Sequence, residues 1–263
     1  FKNLEGVARA KVELLENMKK DGQALLNGDD PLLVSRRDIL EKTLTYGFSA
    51  ECDIRADYEG VDENGYPGMS VAGTVITIPL AGRHNLMNGL AAAAVGRVFG
   101  ISWTCIKQRL EGFTGMENRG KMKKINGFTV YNDSYNANPS SVYQSLLTVN
   151  DMKRFRRRIA ILGDMLELGE TSRVEHERVG RETARLGFDA LFSFGKGMSY
   201  AAETAGAAGM RHVVHSHHKK QLIEALLAFI EEGDLLLVKG SRSMSMEEII
   251  NALEMEYRRT GEE

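Results

Sequence analysis

Asn132-Asp133-Ser134-Tyr135-Asn136-Ala137-Asn138-Pro139 stands between two segments of different period. Before it, residues 128–131 (FTVY) form a short β-branched and aromatic run that reads as a strand. After it, residues 140–149 repeat apolar side chains at helical spacing. Six of the eight residues carry side-chain hydrogen-bonding groups, and none is a good filler of a core. A polar loop at the carboxyl end of a strand is where open α/β sheets bind ligands. The competing reading is a turn rich in asparagine, because Asn and Asp favour turns and helix caps.

The residues that follow favour the sheet. Apolar runs at 159–162, 190–194 and 235–238 alternate with helical patterns near 172–186, 197–208 and 217–231. That alternation predicts a doubly wound, mostly parallel sheet. Three more strand ends carry polar glycine loops: Gly163-Asp164, Gly195-Lys196-Gly197 and Lys239-Gly240-Ser241-Arg242. With the loop after Tyr131 they make four loops expected on one sheet edge. The basic run Lys153, Arg154, Arg156, Arg157, Arg158 leads into a strand and reads as a solvated loop. His212, His215, His217 and His218 resemble a metal cluster by count alone, and Ser216 reads as the cap of the next helix.

The front of the chain is organised differently. Residues 4–18 read as a helix with Leu4, Val7, Ala8, Leu14, Leu15 and Met18 on one stripe. Lys11 falls on that stripe, either snorkelling or partly buried. Burial would favour its neutral, nucleophilic amine. A short strand at 23–27, a turn at 27–31 and a helix over 31–42 follow. Alternating runs at 52–58, 69–71 and 74–78 predict antiparallel strands. Residues 82–94 (GRHNLMNGLAAAA) then open a helix, with Asn85 and Asn88 on one face of its first turns. A carboxamide offers a donor and an acceptor together, which matches an adenine edge; capping is the alternative and suits Asn85 better than Asn88. Residues 102–111 form another amphipathic helix. Residues 115–121 (GMENRGK) imitate a phosphate-binding P-loop, but Met122 stands where a Mg²⁺-binding Ser or Thr is needed, and strand-like residues follow. The P-loop reading is rejected, and Arg119 is kept as a phosphate contact.

At 263 residues the chain is long enough for two domains. It is 43% hydrophobic and 27% charged, which supplies real cores. A net charge of −2 argues against nucleic-acid binding. Cys52 and Cys105 have no metal or disulfide-scaffold spacing and suit a reducing cytoplasm. There is no span-length apolar segment or leader-like stretch, so no membrane insertion is expected. The chain opens on Phe1 rather than Met, as part of something longer would.

Taken together, VARAKVEL (7–14), LNGDD (26–30), GRHNLMNGLAAAA (82–94), NDSYNANP (132–139), LGDMLELG (162–169) and VKGSRSMSMEE (238–248) resemble the Mur ligases of peptidoglycan synthesis. NDSYNANP with GDMLELG is similar to the D-alanyl-D-alanine-adding, MurF-type branch, and the Asp-Asn-Pro-Arg motif of the diaminopimelate-adding branch is absent. The resemblance covers essentially the whole chain. It implies the back half of a central ATPase domain at 1–115 and a Rossmann-like C-terminal ligase domain at 116–263. The N-terminal domain and the P-loop half of the central domain would lie outside these residues, and this chain alone would be inactive. The implied ligands are ATP and Mg²⁺, UDP-N-acetylmuramoyl-tripeptide and D-alanyl-D-alanine, in a monomeric parent. Lys11 would be a carbamylated, Mg²⁺-supporting catalytic residue. His84, Asn85 and Asn88 would frame adenine, Arg119 would reach the phosphates, and Asp133 the ribose. Tyr135, Asn136 and Asn138 would lie near the dipeptide. Lys239, Ser241 and Arg242 would face the cleft. Two alternatives stay open: another ligase of the superfamily, folylpolyglutamate synthase-like, and a non-catalytic α/β binding module.

Overall fold

The structure is a computed structural model that describes residues 4–19, 21–37, 42–62 and 65–260. It divides into two compact units, residues 1–79 with 83–114, and residues 80–82 with 115–263.

The second unit holds a six-stranded sheet. Its strands are β6 (Lys121–Ile125), β7 (Phe128–Asn132), β8 (Arg158–Gly163), β9 (Ala190–Phe194), β10 (His212–Ser216) and β11 (Leu235–Lys239), ordered β10-β9-β8-β11-β7-β6. All neighbours are parallel except β6, which pairs antiparallel with β7. The central strands are near-continuous apolar runs, as strands covered on both faces must be. Phe128, Val130, Ile159, Ile161, Ala190, Phe192, Leu236 and Val238 share a core with Leu222 and Leu226 of α8 (Lys219–Leu227) and Ile249, Ile250 and Leu253 of α9 (Glu247–Thr260). Alternation sends the intervening residues to the other face, where α5 (Pro139–Asp151), α6 (Ser172–Arg185) and α7 (Met198–Ala207) form the second layer. Each fully buried leucine-sized side chain here contributes about 1.5–3 kcal/mol. The mostly parallel, doubly wound sheet expected from the alternation is the sheet observed.

Two segments of this half go beyond what the sequence showed: a strand at 212–216 that no periodicity marked, and a basic run that is only in part a solvated loop. Residues 212–216 form the edge strand β10, and its mix of half-exposed valines and histidines is the pattern of an edge. Of the basic run, Lys153, Arg154 and Arg156 are exposed in a loop as expected, but Arg157 and Arg158 are not. Arg157 makes a paired contact with Asp234, Nε to Oδ1 at 2.8 Å and Nη2 to Oδ2 at 2.6 Å, and Asp234 is 1% exposed. Arg158 donates to the Gly187 carbonyl at 3.0 Å, and Arg156 pairs with Glu231. Arg157 and Arg158 tie the amino-terminal edge of the sheet.

The first unit holds a five-stranded sheet in chain order: β1 (Ala24–Asn27), β2 (Thr43–Gly47), β3 (Ile54–Val61), β4 (Pro67–Val71) and β5 (Thr74–Thr77). β1, β2 and β3 are parallel, while β3, β4 and β5 are antiparallel as the alternation predicts. Helix α3 (His84–Val98) packs on β1, β2 and β4, and α4 (Trp103–Glu111) on β5. Its alanines do what small residues allow: Ala93 and Ala94 are fully buried, and a Cβ on Gly89 would lie 2.6 Å from Ile78 Cδ1. The helix expected over 31–42 is only α2 (Pro31–Val34). Asp30 caps its start, but none of its residues is buried, so no packing extends it. Residues 38–41 lie outside the described residues.

Helix α1 (Leu4–Glu16) forms as expected, with a rotated stripe. Val12 and Leu15 are buried, and Leu15 packs with Ala24, Leu26 and Met18. Leu14 is 71% exposed, and Lys11 is exposed rather than on a buried face. The side chain of Leu4 lies outside the described residues. Among the described residues no helix is long and apolar enough to cross a membrane.

Candidate active site

The parallel strands of the second unit end together, and β11, made last, lies between β8 and β7. Here the chain's winding reverses, which is the position where such sheets place ligands. Four loops meet at this edge: 133–138, 164–168, 195–197 and 240–246.

Buried polar groups stitch the loops together. Lys239, at the end of β11, is 2% exposed. Its ammonium donates to Asp133 Oδ2 at 2.5 Å, to the Asn136 carbonyl at 3.0 Å and to the Asp133 carbonyl at 3.4 Å. Three acceptors meet three protons. Ser145 Oγ donates to the same Asp133 oxygen at 2.6 Å, while Oδ1 takes no bond among the described residues. Ser241 donates its N–H to the Asp164 carbonyl at 3.0 Å. Its hydroxyl accepts the Leu166 N–H at 2.8 Å and donates to the Ala137 carbonyl at 3.4 Å. Asp164, 8% exposed, accepts the Gly197 and Met198 N–H groups at 3.1 and 2.7 Å and so caps α7. His176, 1% exposed, donates from Nδ1 to the Ser172 carbonyl at 2.7 Å and accepts the Met165 N–H on Nε2 at 3.0 Å. Those partners fix the ring's orientation, with Nδ1 donating and Nε2 accepting.

The turn at 115–120 joins the same edge. Asn132 Nδ2 donates to Asn118 Oδ1 at 2.8 Å, and the Tyr135 N–H to the Asn118 carbonyl at 2.9 Å. Gly120 sits at φ +67°, and a Cβ there would come 3.0 Å from the Tyr131 hydroxyl. Burial, with Asp133 adding, pushes the Tyr131 phenol far above its usual range, so it stays protonated. The Arg119 guanidinium lies 4.0 Å from the centroid of the Tyr135 ring, and both are exposed.

The sequence-derived residues therefore separate by orientation. Arg119, Tyr135 and Asn136 present groups to solvent at the edge. Asn138 is exposed, yet its Oδ1 accepts the Ser141 N–H at 2.8 Å while Ser141 Oγ accepts its N–H, closing a capping box on α5. Lys239 and Ser241 point into the loops rather than outward. Arg242 pairs with Glu247 at 2.6 Å. Asp164 was visible as a glycine loop, whereas nothing in the sequence marked His176, which lies in mid-helix.

In the first unit His84 begins α3 and Asn85 is buried. Arg83 occupies the cap position without a side-chain cap bond, so Asn85 is inside the helix and capping does not explain it. Asn88 is exposed and donates from Nδ2 to Asn85 Oδ1 at 3.3 Å, a shared carboxamide face.

Two family profiles match in tandem. Residues 1–96 match "Mur ligase middle domain" and residues 117–242 match "Mur ligase, glutamate ligase domain". A UDP-N-acetylmuramoyl-tripeptide–D-alanyl-D-alanine ligase of Bacillus subtilis is 33% identical over 260 residues, 95% of this chain. The chain belongs to the Mur ligase family. Solved Mur ligase structures agree in fold. MurF from Acinetobacter baumannii superposes with a TM-score of 0.85 at 24% identity, over 97% of this chain and 56% of that one. MurF from Thermotoga maritima, in complex with ADP, gives 0.81 at 21% identity, over 98% and 60%. The chain spans about half the length of the curated relatives it matches, 55% of the Bacillus subtilis protein. In Mur ligase terms, the boundary between the two matched profiles falls at 97–116, just before the turn that carries Asn118 and Arg119.

Proposed function

We propose that the protein this chain belongs to is an ATP-dependent ligase that joins D-alanyl-D-alanine to UDP-N-acetylmuramoyl-tripeptide in cytoplasmic peptidoglycan precursor synthesis. The observation that carries this reading is 33% identity over 95% of the chain to a relative bearing that name. The NDSYNANP and GDMLELG loops supply the narrower motif.

In the proposed reaction the tripeptide carboxylate attacks the γ-phosphorus, giving ADP and an acyl phosphate. The dipeptide amine then attacks the acyl carbon, a C–N bond forms, phosphate leaves and the amine loses a proton. Negative charge gathers on phosphoryl oxygens in both steps, where a guanidinium stabilises it. Arg119 is the group we assign to that task, aimed by the Tyr135 ring beneath it. Asp133 Oδ1 is assigned to the ribose hydroxyls, with Oδ2 held by Lys239 and Ser145. Tyr135, Asn136 and the free amide side of Asn138 are assigned to the dipeptide. His84 and the Asn85–Asn88 face are assigned to adenine. Lys239 and Ser241 hold the loops in place, and Arg242 flanks them.

Mg²⁺ is expected with ATP. Among the described residues no three carboxylate, imidazole or thiol side chains cluster. Lys11 as an ammonium has no free lone pair. A carbamate on Lys11 would add anionic oxygens to a Mg²⁺ site.

The test is ADP release by the purified full-length gene product. Release should require the muramyl tripeptide and D-alanyl-D-alanine together. Release driven by a folate and glutamate would replace this reading with a folylpolyglutamate synthase, and no ATP turnover with either set would favour a binding module.

A further inference from the structure

We propose that Glu167 binds a primary ammonium group of a substrate at this edge, an inference that rests on the ligase reading above. Glu167 sits at φ +63°, in the left-handed region, where a side chain with a Cβ is strained and glycine is not. A glycine is available two residues on, Gly169 at φ +55°, so the turn has another place for such a residue. A long charged side chain at the strained position marks a function for that side chain.

The backbone leading to it is over-determined. The Asp164 carboxylate holds the start of α7, the Met165 N–H is taken by buried His176, and the Leu166 N–H is taken by Ser241 Oγ. Glu167 follows directly and is exposed. Among the described residues its carboxylate has no ion pair and no hydrogen bond. Its place is also fixed. Ser241 Oγ contacts both the Leu166 N–H at 2.8 Å and the Ala137 carbonyl at 3.4 Å. The neighbour of Leu166 is Glu167, and the neighbours of Ala137 are Asn136 and Asn138. Glu167 therefore stands beside the loop assigned to the dipeptide.

Charge selects the ligand. ATP and a UDP-linked peptide are anionic, and a lone carboxylate repels them. The complementary group in the proposed reaction is a primary ammonium. Two substrates can supply one: the amino terminus of D-alanyl-D-alanine, and the side-chain amine of the tripeptide's third residue. Glu167 binds and orients; no proton transfer is assigned to it.

Steady-state kinetics on the full-length protein test this with Glu167→Gln and Glu167→Gly. Glu167→Gln should raise KM for one amine-bearing substrate about tenfold, the loss expected for a charged hydrogen bond, with ATP KM unchanged and kcat within about threefold. The substrate whose KM moves identifies the source. If it is the tripeptide, an N-acetylated side chain should make the substitution indifferent. Glu167→Gly should show the same KM rise while melting at or above the wild-type temperature, because glycine relieves the backbone. Unchanged amine KM values, a parallel rise in ATP KM, or a lower melting temperature in Glu167→Gly would overturn the assignment. An active wild type with an indifferent Glu167→Gln refutes this inference alone. A wild type without dipeptide-dependent ADP release refutes the ligase reading, and this inference with it.

Discussion

Lys239→Met keeps most of the side-chain volume and removes the charge at the centre of the candidate site. The side chain it replaces is 3% exposed and its partner Asp133 is 19% exposed. After the change Asp133 keeps the Ser145 hydroxyl but loses its counter-charge, and the Asn136 carbonyl loses its donor. Removing one member of a buried ion pair costs about 3–5 kcal/mol. Water can reach Asp133 in part, so Lys239→Met should fall at the lower end, about 3 kcal/mol. Asp133→Leu is the harsher change, because it strands a nearly inaccessible ammonium, and about 4–5 kcal/mol is expected. For a unit of this size each kcal/mol moves the melting temperature by roughly 2–4 °C, so Lys239→Met should lose about 6–12 °C. Far-UV circular dichroism with urea and heat follows the loss. The only tryptophan, Trp103, lies in the other unit, so its fluorescence is an internal control. The double variant should be less damaging than the two singles added together, by at least about 1.5 kcal/mol. Singles within about 0.5 kcal/mol of wild type, or strict additivity, would refute the pairing as the element that holds these loops.

Asp133→Ala in the full-length protein should raise the apparent KM for ATP more than that for D-alanyl-D-alanine, since a ribose contact acts in ground and transition states alike; an unchanged ATP KM with a large kcat loss would move Asp133 to the reacting centre. Asn138→Ala should destabilise by about 1 kcal/mol through loss of the α5 cap, read by urea unfolding, and Asn138→Ser should restore most of it. Burial, with His217 adding, lowers the His215 pKa. The unfolded chain then takes up a proton, as pH falls through about 6.5, that the folded chain resists, so stability should drop on acidification. Melting between pH 7 and pH 5 should show a shallower slope in His215→Gln. The 263-residue chain alone carries no Gly-Lys-Ser/Thr phosphate loop, and titration calorimetry should find ATP binding no tighter than about millimolar, near −4 kcal/mol.

The sheet of the second unit was legible because strands buried on both faces must be apolar throughout, and the loops between them must be polar. Direction was legible less far. Lys239, Ser241, Asn138 and Arg119 all read as polar residues at strand ends or turns. That Lys239 and Ser241 face inward depends on partners 106 and 104 positions away, Asp133 and Ala137. The front helix shows the same gap. Its sequence supports more than one apolar stripe, and only the packing of Leu15 on Ala24 and Leu26 selects the one that leaves Lys11 outside. Arg157 was misread because a charge run shows no sign of the buried acid it will meet, here Asp234. The strand at His212–Ser216 was not assigned because an edge strand lacks the apolar density that made its neighbours plain.

Those inward-facing polar groups bear on catalysis as well as stability. Loops at a sheet edge are ordinarily the mobile part of an α/β fold. Here a buried ammonium, a buried carboxylate, a buried imidazole and a buried hydroxyl each join two segments, so the four loops are tied to one another. The side chains of Arg119, Tyr135, Asn136 and Glu167 lie outside that network and are displayed from this tied support. For the proposed ligase reaction, whose two steps build charge at nearly the same point, a support that does not reorganise lowers the barrier. By that reasoning Lys239→Met should lose kcat even at temperatures where it stays folded, while a surface change of equal charge such as Lys220→Met, on an exposed side chain of α8, should not.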